Sequence, residues 1–186
     1  MSYIESYLDQ VAAILHNVPQ DQVAQIINVL KQARMERRHI FIIGNGGSAA
    51  TASHFANDLI KSTVCEDKPR MKAIALTDNI PVMLAYANDC GYETIFEEQL
   101  DALAEPGDVL VAISGSGRSV NVLRALDLAQ ERGMVAVGLT ARDGGEMRGR
   151  CNVCLVVPCD PMQQIEDVHT VLTHLISSAI ANQVEV

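Results

Sequence analysis

From residue 39 onward, short apolar runs alternate with stretches whose apolar residues recur every three or four positions. The runs His39–Ile43, Met71–Leu76, Val109–Ile113, Val135–Leu139 and Val153–Val157 are mostly apolar, as expected of strands buried on both faces. Between them, Ser48–Lys61, Pro81–Ala87, Ile95–Ala104 and Val120–Arg132 carry helical periodicity, and a long helix is expected from about Met162 to Asn182, just after Pro161. Gly133 stands where a helix C-cap glycine belongs, and Glu105-Pro106-Gly107-Asp108 reads as a turn into a strand. Strands and helices in alternation with short connections predict a parallel sheet covered by helices on both faces, joined by right-handed crossovers. The expected class is α/β, with one doubly wound, five-stranded parallel sheet. Ligands of such sheets sit at the carboxyl ends of the strands.

The first 36 residues have a different texture. Ile4, Leu8, Val11 and Leu15 recur at helical spacing, as do Val23, Ile26, Ile27 and Leu30, and Pro19 separates the two sets. This predicts a helical pair over 1–36 leading into an α/β core over 37–186. There is no repeat or linker, so 1–186 reads as one domain. The leading pair can cover the core or form a subunit interface; the pattern leaves both open.

The chain has 186 residues, 48% of them hydrophobic, and a net charge of −9. That length suits a single domain with a real core. An acidic chain lacks the surplus of Lys and Arg that nucleic acid requires, but a few backbone N–H groups can still hold a small anion. No apolar run approaches the roughly 20 residues of a membrane span. The start, MSYIESYLDQ, has neither the basic opening nor the apolar stretch of a signal peptide, so the cytoplasm is expected. The five cysteines, Cys65, Cys90, Cys151, Cys154 and Cys159, are expected to be free thiols. Cys151 and Cys154 have redox-motif spacing, but three residues along a strand should turn them to opposite faces.

Two strand-to-helix junctions carry candidate chemistry. The first is Gly44-Asn45-Gly46-Gly47-Ser48, whose glycines let a ligand approach the backbone and permit positive φ. Ser48 there is a helix N-cap or a ligand contact. The second is Ser114-Gly115-Ser116-Gly117-Arg118-Ser119, with three hydroxyls at a helix start, the ingredients of an anion cradle. Neither is a P-loop or a dinucleotide fingerprint. Two such loops at the ends of two strands point to one ligand bearing a phosphate.

The segments GNGGSAA and HFANDL, then AISGSGRSVNV, LTARDGG and IEDVHTVLTHLI, resemble the sugar isomerase (SIS) domain family, and within it the phosphoheptose isomerases. The resemblance covers nearly the whole chain. It implies one SIS domain with a flavodoxin-like sheet, a phosphorylated-sugar substrate and a homotetramer with its active sites at subunit junctions. It also implies zinc held by His54, Asp58, Glu166 and His174, with Asp58 as proton-abstracting base and His174 as acid. Asn45, Gly46, Gly47, Ser48, Ser114, Gly115, Ser116, Ser119 and Glu166 are implied substrate contacts, with Asp89 and Thr140 lining the same pocket.

The chemistry implied is aldose–ketose isomerisation through an enediol, which needs a base for the carbon-bound proton and an acid or metal at the carbonyl. His54 and Asp58 are i and i+4, about 40° apart on one helix face. On the last helix Glu166 and His174 are about 80° apart and about 12 Å along the axis. Periodicity alone therefore aligns Asp167 better with His174, while the resemblance selects Glu166. His169 is expected to be structural. The chain departs from the family pattern at Asp58, a Glu there, at Glu166, a Gln, and at Gln163, an Asp. The leading expectation is conversion of sedoheptulose 7-phosphate to heptose 7-phosphate for bacterial surface polysaccharide. The alternatives are an isomerase of another sugar phosphate, or a non-catalytic phosphosugar-binding protein of the kind that associates with the replication initiator DnaA.

Overall fold

The computed structural model describes residues 2–185. Five strands, β1 (His39–Gly44), β2 (Lys72–Ala75), β3 (Val109–Ile113), β4 (Val135–Ala141) and β5 (Val153–Val157), form one sheet of order β2-β1-β3-β4-β5. Every neighbouring pair is parallel. This is the doubly wound order in which the chain reverses direction between β1 and β3, and ligands of such sheets bind at that switch point. The helices are α1 (Tyr3–His16), α2 (Gln20–Met35), α3 (Gly47–Lys61), α4 (Ile80–Asp89), α5 (Glu97–Leu103), α6 (Val120–Glu131) and α7 (Met162–Ala181).

The pleat sorts each strand's side chains between two cores. Ile40 and Ile42 of β1 and Val109, Val111 and Ile113 of β3 face the side covered by α2, α3 and α7. Phe41, Ile43, Leu110 and Ala112 face the other, under α5 and α6. Strands buried on both faces leave no polar alternation, which is why the apolar runs located them. Asp108 anchors the turn before β3: its buried carboxylate accepts from the backbone N–H groups of Glu105 (3.0 Å) and His39 (2.8 Å).

The leading pair does two different things. Ile26, Ile27 and Leu30 of α2 are fully buried against the sheet. By contrast α1 has no buried residue, and Ile4 and Leu8 are 70% and 62% exposed. The capping box at Ser2 and Glu5 sets the start of α1. Among the described residues no helix is long and apolar enough to cross a membrane.

One expectation fails here. Cys151 and Cys154 do not point apart, because Cys151 precedes β5 and the chain bends at Asn152 before the strand begins. Their sulfurs converge instead on the space above Gly138, where an added Cβ would lie 2.8 Å from Cys151 Sγ and 3.1 Å from Cys154 Sγ. All five cysteines are free, as expected.

Candidate active site

The loops after β1 and β3 meet at the switch point. Together with the start of α7 they enclose a cavity of about 240 Å³ lined by Asn45, Gly46, Gly47, Ser48, Ile113, Ser114, Gly115, Ser116, Ser119, Met162 and Glu166. Three helices begin here, at N-caps Gly46, Ser119 and Pro161, and none is closed by a side-chain hydrogen bond. Their first N–H groups therefore lack helical partners, and each helix presents the positive end of its dipole, an arrangement suited to an anion. Ser48 is not the cap of α3. Gly46 takes that place at φ +55, and Ser48 sits one turn-position inside, buried.

The serine hydroxyls are held but not spent. Ser114 Oγ and Ser119 Oγ lie 3.4 Å apart, and Ser116 Oγ accepts from the Arg118 N–H at 3.2 Å. Asn45 is fixed by a reciprocal amide pair with Asn121: each Nδ2 donates to the other's Oδ1, at 2.8 and 2.9 Å. Tyr92 Oη donates to the same Asn45 oxygen at 2.9 Å. Asn121 thus ties the first loop to α6, the helix that follows the second, and Tyr92 ties it to the turn before α5. Neither stood out in the sequence.

Glu166 closes one side of the cradle. A Cβ on Gly47 would overlap its carboxylate, so a larger residue at 47 would turn the Glu166 side chain aside.

Two turns further along α3 and α7, which pack side by side, a second group assembles. His54 Nε2 lies 2.9 Å from His174 Nε2. Asp58 Oδ2 lies 3.5 Å from the first and 3.7 Å from the second. The imidazoles are about half exposed, while Asp58 keeps only 13% of its side chain exposed. Two imidazole nitrogens this close repel unless a proton or a cation stands between their lone pairs. Ligand atoms about 2.0–2.1 Å from a tetrahedral zinc lie roughly 3.3 Å from one another, so these three donors have the spacing and the chemistry of a metal site with an open position. Glu166 is not among them; as placed, it belongs to the cradle.

Asp167, which periodicity aligned with His174, faces α1 instead. It accepts from Tyr7 Oη at 2.6 Å, a bond that pushes the tyrosine pKa up to about 12. Asp89 ends α4, exposed and paired with the Asn88 amide, outside the cavity lining. Thr140 is buried beneath the second loop, where a Cβ on Gly117 would come within 3.0 Å of its hydroxyl. His169 is buried, as expected of a structural residue. A larger, shallower cleft of about 840 Å³ between α1 and the β4 end holds Arg118 and Arg142. Their charge there is already engaged, by Asp143 at 2.6 Å and by the Asp160 carbonyl at 2.9 Å.

Residues 6–141 match the SIS domain family. This chain belongs to the SIS domain family. Within that family it is 36% identical over 162 residues to the phosphoheptose isomerase of Akkermansia muciniphila, covering 87% of this chain and 85% of that one. It is 33% identical over 183 residues to the phosphoheptose isomerase of Aneurinibacillus thermoaerophilus, covering 96% and 92%. The solved phosphoheptose isomerase of Neisseria gonorrhoeae superposes with a TM-score of 0.88 at 32% identity, covering 96% of this chain and 97% of that one. The SIS fold therefore extends through α1 and α7, beyond the matched segment.

Proposed function

We propose that this SIS domain protein is an aldose–ketose isomerase that converts sedoheptulose 7-phosphate to D-glycero-D-manno-heptose 7-phosphate. The observation that carries the proposal is the cluster of His54, Asp58 and His174 two helical turns from a phosphate cradle. His54 follows Gly47 by seven residues, about 10 Å along α3. An extended seven-carbon sugar phosphate can span that distance with its phosphate in the cradle and its carbonyl at the cluster. The relatives named phosphoheptose isomerase support the same reading.

The cradle supplies position. Helix N–H groups and the hydroxyls of Ser48, Ser114, Ser116 and Ser119 hold the phosphate, and Asn45, fixed by Asn121 and Tyr92, meets the adjoining hydroxyls. Asp58, nearly enclosed, takes the proton from C1 of the ketose and returns it to C2 of the enediol. His174 gives a proton to O2 and recovers one from the O1 hydroxyl, so protons balance and no redox partner is needed. His54, Asp58 and His174 would hold zinc, which when bound supplies Lewis acidity that polarises the sugar carbonyl. Glu166 acts at the sugar side of the cradle.

A homotetramer working in the cytoplasm, with active sites at subunit junctions, fits the half-exposed histidines and the bare apolar residues of α1. The direct test supplies zinc-loaded protein with sedoheptulose 7-phosphate beside pentose and hexose phosphates and follows the aldose formed. Faster turnover of the heptulose is expected. If only a shorter phosphosugar turns over, the substrate assignment is wrong; if none does, the isomerase reading is.

A further inference from the structure

Cys154 lies on β5, an edge strand with a single neighbour, and Cys151 just before it, both far along the sheet from the cradle. Cys154 is in register with Gly138 of β4. Cys151 enters from the bend at Asn152, which is pinned by two hydrogen bonds to Ala136: the Asn152 N–H donates to the Ala136 carbonyl at 2.8 Å, and the Ala136 N–H donates to Asn152 Oδ1 at 2.7 Å. Both sulfurs converge on the space left by Gly138. A Cβ there would lie 2.8 Å from Cys151 Sγ and 3.1 Å from Cys154 Sγ. Any larger residue at 138 would push the thiols away, so the glycine is what lets both occupy one spot.

Both side chains are half-buried, so solvent still reaches the pair. The closeness of the two thiols raises the Cys151 pKa, with burial, and lowers that of Cys154, where burial opposes the fall and Arg148 assists it. The two thiols are therefore unequal. Cys154 is the more acidic of the two, which suits it to attack and Cys151 to resolve.

We propose that Cys151 and Cys154 are a redox-active dithiol that closes into an intramolecular disulfide by exchange with a low-molecular-weight disulfide of the glutathione type. The Cys154 thiolate attacks one sulfur of that disulfide, forming a mixed disulfide and releasing one thiolate. Cys151 then loses its proton and attacks Cys154 Sγ, releasing the second thiolate. Two protein thiols are oxidised, one small disulfide is reduced to two thiols, and no other reactant is needed. A purely structural pair would need neither converging sulfurs nor a gap at 138.

The test treats the full-length protein with oxidised glutathione, alkylates the remaining thiols and maps the peptides by mass spectrometry. The expected result is loss of two hydrogens between Cys151 and Cys154, with both resistant to alkylation, while exposed Cys90 carries glutathione. In Cys151→Ser the glutathione should stay on Cys154 as a stable adduct, and in Gly138→Ala closure should slow while Cys90 reacts as before. If Cys151 and Cys154 are both alkylated while Cys90 is modified, or if each carries its own glutathione, the proposal is overturned. Faster modification of Cys151 in Cys154→Ser than of Cys154 in Cys151→Ser would overturn the assignment of Cys154 as the attacking thiol.

Discussion

Of the two histidines on α7, one is buried and one is not. His169 is 1% exposed, and its Nε2 lies 3.3 Å from the Thr140 carbonyl. A carbonyl can only accept, so the proton of the neutral ring sits on Nε2, and Nδ1 is left buried without a partner. Burial lowers the His169 pKa from 6.5 to about 4. Between those values the unfolded chain binds a proton that the folded chain refuses, so stability falls as pH drops from 6.5 toward 4, by on the order of 3 kcal/mol. Denaturant midpoints at pH 7.5 and 4.5 should show this fall in the native protein and a much flatter dependence in His169→Leu. Glu166 offers a second residue-scale prediction. Its carboxylate faces the phosphate cradle, so Glu166→Gln should tighten binding of inorganic phosphate roughly fivefold to tenfold, measured by calorimetry. Unchanged affinity would move Glu166 out of the ligand's field. His54, Asp58 and His174 were legible in the sequence only through the family resemblance. Helical periodicity preferred Asp167, because spacing along one helix cannot see that Tyr7 of α1 has claimed it.

At the scale of elements, every strand was legible to within about two residues, the central strands β1, β3 and β4 because burial on both faces writes an unbroken apolar run. What was not legible were the ties between elements distant in sequence. The Asn45–Asn121 amide pair joins residues 76 apart and leaves no local period. Asn121→Ala would strand the Asn45 amide at a cost of about 1–3 kcal/mol, with the loss appearing as a raised KM for the phosphosugar more than a lowered kcat. The short 3-10 turn at Gly145–Gly149 was also missed, since a glycine-rich segment carries no periodicity. The exit from α2 closes with Arg37 at φ +60, a left-handed position usually given to glycine, while Arg38 N–H bonds back to the Ala33 carbonyl at 2.9 Å. Arg37 is exposed, so Arg37→Gly should raise stability by up to about 1 kcal/mol, read as a higher unfolding midpoint with unchanged activity.

For the whole molecule, the sheet order puts the two serine- and glycine-rich loops on either side of the β1–β3 switch point, and α3 and α7 carry the cluster of His54, Asp58 and His174 two turns further along. In the proposed function, anchoring and chemistry are thus separated along α3 and α7. Half of each imidazole of that cluster remains open, and Tyr3, Ile4 and Leu8 of α1 stand bare, which is the surface a tetramer would cover. Light scattering should give a tetramer mass that holds on dilution; a monomer at every concentration would leave these faces without a partner. The most direct test of the central claim, that Asp58 moves the carbon-bound proton, is to run the isomerisation in deuterium oxide. Deuterium at C2 of the heptose product is predicted for the native protein, with product formation and exchange both lowered by about 10²–10⁴ in Asp58→Asn. Undiminished exchange in that variant would place the base elsewhere and contradict the account.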